Sequence, residues 1–137
     1  MSLSAFRSQL RTNIPGDTRI SGRFNVNGST LTVLEGKKYT VTKPSLTTGH
    51  YKVTFGPTAT ELTPVKGLIA CFANAVIANP SAANSRWIVV HTVDLDANGN
   101  VAGVTLGAID ATGGFANMTA NDDICFECIV RDTEIVV

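Results

Sequence analysis

Apolar and polar residues alternate one for one along much of this chain. The clearest stretch is Gly49-His50-Tyr51-Lys52-Val53-Thr54-Phe55, where Tyr51, Val53 and Phe55 interleave with His50, Lys52 and Thr54. Successive side chains on a strand point to opposite faces, so this pattern predicts a half-buried β-strand. Tyr39 and Val41 against Thr40 and Thr42 read the same way, and Pro44 to Gly49 supplies the turn between them. Further strands are predicted at Arg19 to Val26, at Ser29 to Glu35 after Asn27-Gly28, and at Lys37 to Lys43 after Gly36. Asn-Gly between alternating segments is a strong hairpin signal, because both residues tolerate the positive φ of a tight turn.

Lys66 to Ile77 is apolar on both parities and predicts a central strand covered on both faces, or else a buried helix. Arg86 to Leu95 carries Trp87, Val89, His91 and Val93 on one parity, and Asp96-Ala97-Asn98-Gly99 turns it into Val101 to Leu106. Residues 107 to 122 are small, polar and Gly-rich, with Phe115 and Met118 as their large apolar members; this predicts a functional surface loop or one further short strand. Asp123 to Arg131 closes the set, with Ile124, Phe126 and Cys128 opposed to Cys125, Glu127 and Ile129. Many short strands with turn signals between them predict an all-β, jelly-roll-like β-sandwich of about eight strands. Residues 1 to 18 read as an extended N-terminal arm in which Phe6 and Leu10 allow one amphipathic turn ended by Pro15-Gly16, and residues 19 to 137 as the sandwich domain.

Composition narrows the function classes. A chain of 137 residues with 44% apolar content can fill one core. Eleven basic and eleven acidic residues, spread without blocks, leave no electrostatic footprint for nucleic acid or anionic lipid. The N-terminus lacks the apolar core of a secretory signal and no eighteen apolar residues run together, so synthesis in the cytoplasm is expected, without a membrane partner. Three cysteines, an odd number, do not form the paired framework of a small secreted domain and are expected to be reduced.

The succession Phe24 to Leu34, Lys38-Tyr39-Thr40-Val41, Gly49 to Phe55, a long apolar strand and Phe126-Glu127-Cys128-Ile129-Val130-Arg131-Asp132 resembles small virion proteins of tailed bacteriophages. Those are β-sandwiches similar to the tumour-necrosis-factor-like jelly roll, found as capsid decoration (cement) proteins and at the tips of tail and head fibres. The resemblance covers roughly residues 20 to 132. It implies a homotrimer on the capsid surface whose other partner is the major capsid protein. A short free-standing chain with an arm resembles a decoration protein more than a fibre end. On that reading Leu3, Phe6, Arg7, Leu10, Arg11 and Ile14 contact the capsid, with Arg19 beside them, and Phe72, Ile88, Phe126 and Val130 form the three-fold interface. The alternative is a receptor- or glycan-binding tip, with residues 107 to 122 and the turn at Asp96 to Gly99 facing outward.

Candidate chemistry is sparse, and neither catalysis nor a cofactor is expected. Cys125-Phe-Glu-Cys128 is formally a C-x-x-C, but on a strand positions three apart face opposite ways. His50 and His91 stand alone in sequence, without zinc-ligand spacing. Asp94-Leu-Asp96-Ala-Asn98-Gly99 opens like a calcium loop, yet Thr105 falls where the bidentate Glu is needed, so a hairpin turn is the better reading. Asp122-Asp123 would join a metal site only if folding brought it to that turn. No Gly-x-Ser-x-Gly elbow accompanies the serines and histidines. His91 reads as a core or interface histidine and Cys71 as a small core residue. Trp87 reads as a core tryptophan, with a sugar-stacking platform or protein hot spot as the other possibility.

Overall fold

The computed structural model describes residues 17–45, 47–56 and 67–131. These form eight strands and, among the described residues, no helix: β1 (Asp17–Asn27), β2 (Thr30–Gly36), β3 (Tyr39–Thr42), β4 (His50–Phe55), β5 (Gly67–Val76), β6 (Trp87–Leu95), β7 (Val101–Ile109) and β8 (Asp122–Arg131). They pair antiparallel into two four-stranded sheets, ordered β2-β1-β8-β5 and β3-β4-β7-β6. The result is the β-sandwich that the alternation predicts.

Turn chemistry follows from particular residues. Gly28 adopts φ 63° between β1 and β2, the left-handed conformation that a tight hairpin requires. Between β6 and β7 the Asp96 carboxylate accepts the backbone N–H groups of Asn98 (2.8 Å) and Asn100 (3.0 Å). The calcium-like motif is therefore a self-capped turn, held by one oxygen of Asp96.

The core lies between the sheets. Ile20, Phe24 and Val26 of β1 with Ile124, Phe126, Cys128 and Val130 of β8 meet Tyr39, Tyr51, Val53, Val104, Leu106 and Ala108 of the other sheet, and all are buried. Each large side chain among them contributes about 1.5–3 kcal/mol by leaving water. Tyr39 crosses the sandwich to stand edge-on to Phe126, with centroids 4.8 Å apart. Its hydroxyl donates to the carbonyls of Glu35 (2.5 Å) and Arg23 (3.2 Å), so the buried phenol is satisfied.

The acidic doublet is structural. Asp122, fully buried, accepts from the N–H of Ala78 (2.9 Å) and from the N–H (3.1 Å) and hydroxyl (2.5 Å) of Thr119, fastening both flanking loops to β8. Asp123 accepts from Arg23 Nε (2.7 Å) and Asn25 Nδ2 (2.8 Å). Among the described residues no three metal-ligating side chains converge.

Several expectations are corrected. β5 is an edge strand, not a central one: Leu68, Cys71, Ala73 and Ala75 face the core, while Ile69, Phe72 and Val76 are exposed. On β6 the register sets Ile88 opposite Ala108 and Val90 opposite Leu106, so these two turn inward and Trp87, Val89 and His91 outward, until a bulge between Val90 and Thr92 reverses the parity and sets Val93 opposite Val104. Trp87 is 66% exposed and is no core tryptophan. Phe126 and Val130 are buried in the core and have no surface to give an interface, and Ile88 packs inward against the core. Phe72, 63% exposed, retains that capacity. β1 begins at Asp17, two residues before the expected boundary of the domain, and β7 runs three residues past Leu106. Leu3, Phe6, Arg7, Leu10, Arg11 and Ile14 lie outside the described residues.

Candidate functional site

On the central strand β7 the inward positions Val104, Leu106 and Ala108 are filled by core side chains, which leaves Gly103, Thr105 and Gly107 on the outer face. Gly107 pairs with His50 of β4 on one side and Val89 of β6 on the other. With no side chain of its own, it forms the floor of a trough between two strands that carry rings.

Phe115 fills that trough. The loop after β7 doubles back on its own strand: Ile109 bridges Phe115, and the Ala116 N–H donates to the Ala108 carbonyl at 3.0 Å. Asp110 shapes the reversal by accepting from the N–H (2.9 Å) and hydroxyl (2.6 Å) of Thr112 and from the N–H of Gly114 (3.2 Å). The Thr112 hydrogen bonds hold its carboxyl below the ordinary range. Further on, the loop is pinned to β4 by Asn117, whose side-chain oxygen accepts the Gly49 N–H (2.7 Å), and by Met118, whose N–H donates to the Tyr51 hydroxyl (2.8 Å).

His50 and His91 meet beside Phe115. Their centroids stand 4.5 Å apart in a T-shaped contact, and each lies near Phe115, at 4.7 and 5.3 Å. His50 Nδ1 is 2.8 Å from the carbonyl oxygen of Thr48. A carbonyl only accepts, so Nδ1 carries a proton and, in the neutral ring, Nε2 keeps its lone pair. Trp87 projects from the same outer face of β6. Fold geometry has thus gathered His50, His91, Phe115 and Trp87 on one face. The two histidines, 41 positions apart in sequence, do not stand alone in space.

A polar depression of about 420 Å³ adjoins this cluster, lined by Lys43, Ser45, Thr47, Thr48 and Asn117 among others. Burial holds the Lys43 ammonium below its ordinary pKa, and its Nζ donates to the Thr47 carbonyl and stands 5.1 Å from the centre of the Tyr51 ring. Thr48 and Asn117 belong to both features, through the His50 and Gly49 contacts.

A second feature is the flank formed by β5 and β6, the edge strands of the two sheets, which run beside each other. Ile69, Phe72 and Val76 lie exposed on one, and Trp87, Val89, Val93 and Leu95 on the other. Isolated exposed apolar residues are ordinary; several on two neighbouring edge strands make this flank a candidate contact surface.

Among the described residues no carboxylate pairs with either histidine, and those of Asp94, Asp96, Asp110, Asp122 and Asp123 accept from neighbouring donors. The arrangement is suited to stacking and shape recognition. The sequence signal that could have found it is the run Gly103, Thr105, Gly107, a strand face too small to cover itself. Comparison of the chain with protein-family models, with curated proteins and with solved structures gives no match.

Proposed function

We propose that this chain is a non-catalytic structural protein of a tailed-phage particle, a capsid decoration protein that self-associates as a homotrimer and clamps neighbouring capsid subunits. The observation that carries this reading is the β5–β6 flank, where seven large apolar side chains are exposed on two neighbouring edge strands. Covering such a surface with further copies removes both the apolar area and the unpaired strand edges from water. The jelly-roll-like wind is supported by the pairing of the first strand with the last, β1 with β8, and of β4 with β7 in the opposite sheet. The phage assignment rests on the resemblance of residues 20 to 132. A protein that binds only the assembled shell stabilises it by mass action, and linked copies add avidity.

The test is co-sedimentation with mature capsids that lack the protein, alongside its solution mass by light scattering. A mass three times 14.4 kDa with saturable capsid binding supports the reading. A monomer that ignores capsids overturns it.

The ring cluster favours a second reading, a receptor- or glycan-binding tip. Exposed Trp87 and Phe115, on a domain that also carries a polar depression lined by Lys43, Thr48 and Asn117, suit a sugar, whose apolar face stacks on rings while its hydroxyls meet side-chain partners. Quenching of the single Trp87 by saccharides would support this reading, and a flat titration would oppose it.

A further inference from the structure

Cys71 of β5 and Cys128 of β8 are direct cross-strand partners. Both side chains point into the sandwich, where the Cys128 thiol donates to the Cys71 sulfur at an Sγ–Sγ separation of 2.9 Å. Residues opposite each other in antiparallel strands have Cα atoms about 4.5 or 5.5 Å apart, and both values fall inside the ~4.4–6.8 Å span of a disulfide. The sulfurs therefore need to close by less than 1 Å to reach the ~2.05 Å bond, with no strand movement required. Cys125 is excluded from the pair by the pleat: it sits on the opposite face of β8, in register with Arg23 and Asn74.

We propose that Cys71 and Cys128 are an oxidative modification site, which closes to a disulfide tying edge strand β5 to central strand β8 when the protein meets a low-molecular-weight disulfide such as oxidised glutathione. This inference is independent of the capsid reading.

The two cysteines divide the work. Cys71 is half-buried on an edge strand, whereas Cys128 is buried in the core, so the small disulfide reaches Cys71 first. The hydrogen bond from Cys128 also favours the Cys71 thiolate, and the same bond together with burial disfavours a thiolate at Cys128. Cys71 gives its proton to water, and its thiolate attacks one sulfur of glutathione disulfide, breaking that S–S bond and releasing one glutathione thiolate. Cys128 then loses its proton, attacks the Cys71 sulfur of the mixed disulfide and expels the second glutathione. The protein is oxidised by two electrons, the glutathione disulfide is reduced to two thiols, and the protons lost by the cysteines balance those the glutathiones take up.

The structural consequence falls on β5. Among the described strands it pairs with β8 alone, and a bulge at Leu68/Ala70 interrupts that pairing. A bond between residues 57 positions apart restricts the unfolded chain strongly, and a rise in Tm on the order of 10 °C is expected.

The experiment equilibrates the full chain in buffers of graded reduced and oxidised glutathione, quenches with acid, alkylates under denaturing conditions and maps peptides without reduction. The expected result is one linked peptide joining Cys71 to Cys128, one alkylated thiol at Cys125, and a Tm increase that dithiothreitol reverses. Three alkylated cysteines in oxidising buffer, or linkage through Cys125, would overturn the proposal. Cys71→Ala should abolish the oxidant-dependent Tm shift and Cys125→Ala should keep it. If Cys71→Ala does not fold, the wild-type peptide map still decides.

Discussion

The ring of Phe115 occupies the space that a side chain on Gly107 would need: a Cβ placed there would stand 2.7 Å from Phe115 Cε1. The outer-face cluster of His50, His91 and Phe115 thus depends on a missing side chain as much as on the rings themselves. Gly103, two residues along the outer face from Thr105, is tight for a different reason, since its Cβ would meet the backbone oxygen of Val53 at 2.0 Å.

These two glycines should respond differently to Ala. At Gly107 the obstacle is the end of a half-exposed side chain that can swing away, so the cost should be about 1 kcal/mol or less. Loss of the ring-current shifts on the two histidines in NMR spectra would report the displaced Phe115. At Gly103 the obstacle is backbone, and Ala should cost about 3 kcal/mol or more. Urea denaturation of the two variants side by side checks the order.

Asp122→Ala removes a fully buried acceptor from the Ala78 and Thr119 N–H groups and the Thr119 hydroxyl. Stranding those donors should destabilise the domain by about 3 kcal/mol. A fall in the denaturation midpoint at unchanged slope is the expected signature.

Stability should fall in alkali. Burial raises the hydroxyl pKa of Tyr39 and of Tyr51 above the ordinary 10.0. A group whose pKa is raised on folding contributes fully below its unfolded value and loses that contribution as pH rises through the folded value, because the unfolded chain releases the proton first. The contribution of the two tyrosines should therefore hold steady up to about pH 10 and decline above it. Tyr39→Phe should flatten part of that decline while lowering stability near neutrality by about 1–2 kcal/mol, since the carbonyls of Glu35 and Arg23 lose their donor. Chemical denaturation at pH 8 and pH 11 checks both effects.

On the homotrimer proposal, Phe72→Asp and Trp87→Asp place charge on the exposed flank and should lower the solution mass toward 14.4 kDa while leaving the circular dichroism of the fold unchanged. Phe126→Ala should act the other way, costing about 3–5 kcal/mol through a core cavity. Light scattering with circular dichroism separates the two outcomes.

The strands were legible because period-two alternation is a local property. His50 to Phe55 and Asp122 to Arg131 were recognisable within a residue or so of their ends, and Asn27-Gly28 and Asp96-Gly99 marked their turns by the conformations those residues accept. β5 and β6 were legible as strands but not in orientation. Both are apolar on both parities, so burial periodicity has no preferred face to report. The ring cluster was hidden for another reason: His50, His91 and Phe115 come from three separate segments, and none of them predicts contact with the others.

By itself the sequence determined the class of structure: eight strand segments, the turns between them, and a core supplied by residues such as Tyr51, Val53 and Ile124, because one strand and its immediate neighbours suffice to specify these. Tertiary structure alone decided which strands lie at the edges, which parity of β6 turns inward, that Gly107 lies beneath Phe115, and that Cys71 faces Cys128 rather than Cys125 joining it. Each of these is set by cross-strand register between segments distant in the chain, and register depends on how both sheets fill their shared interior at once.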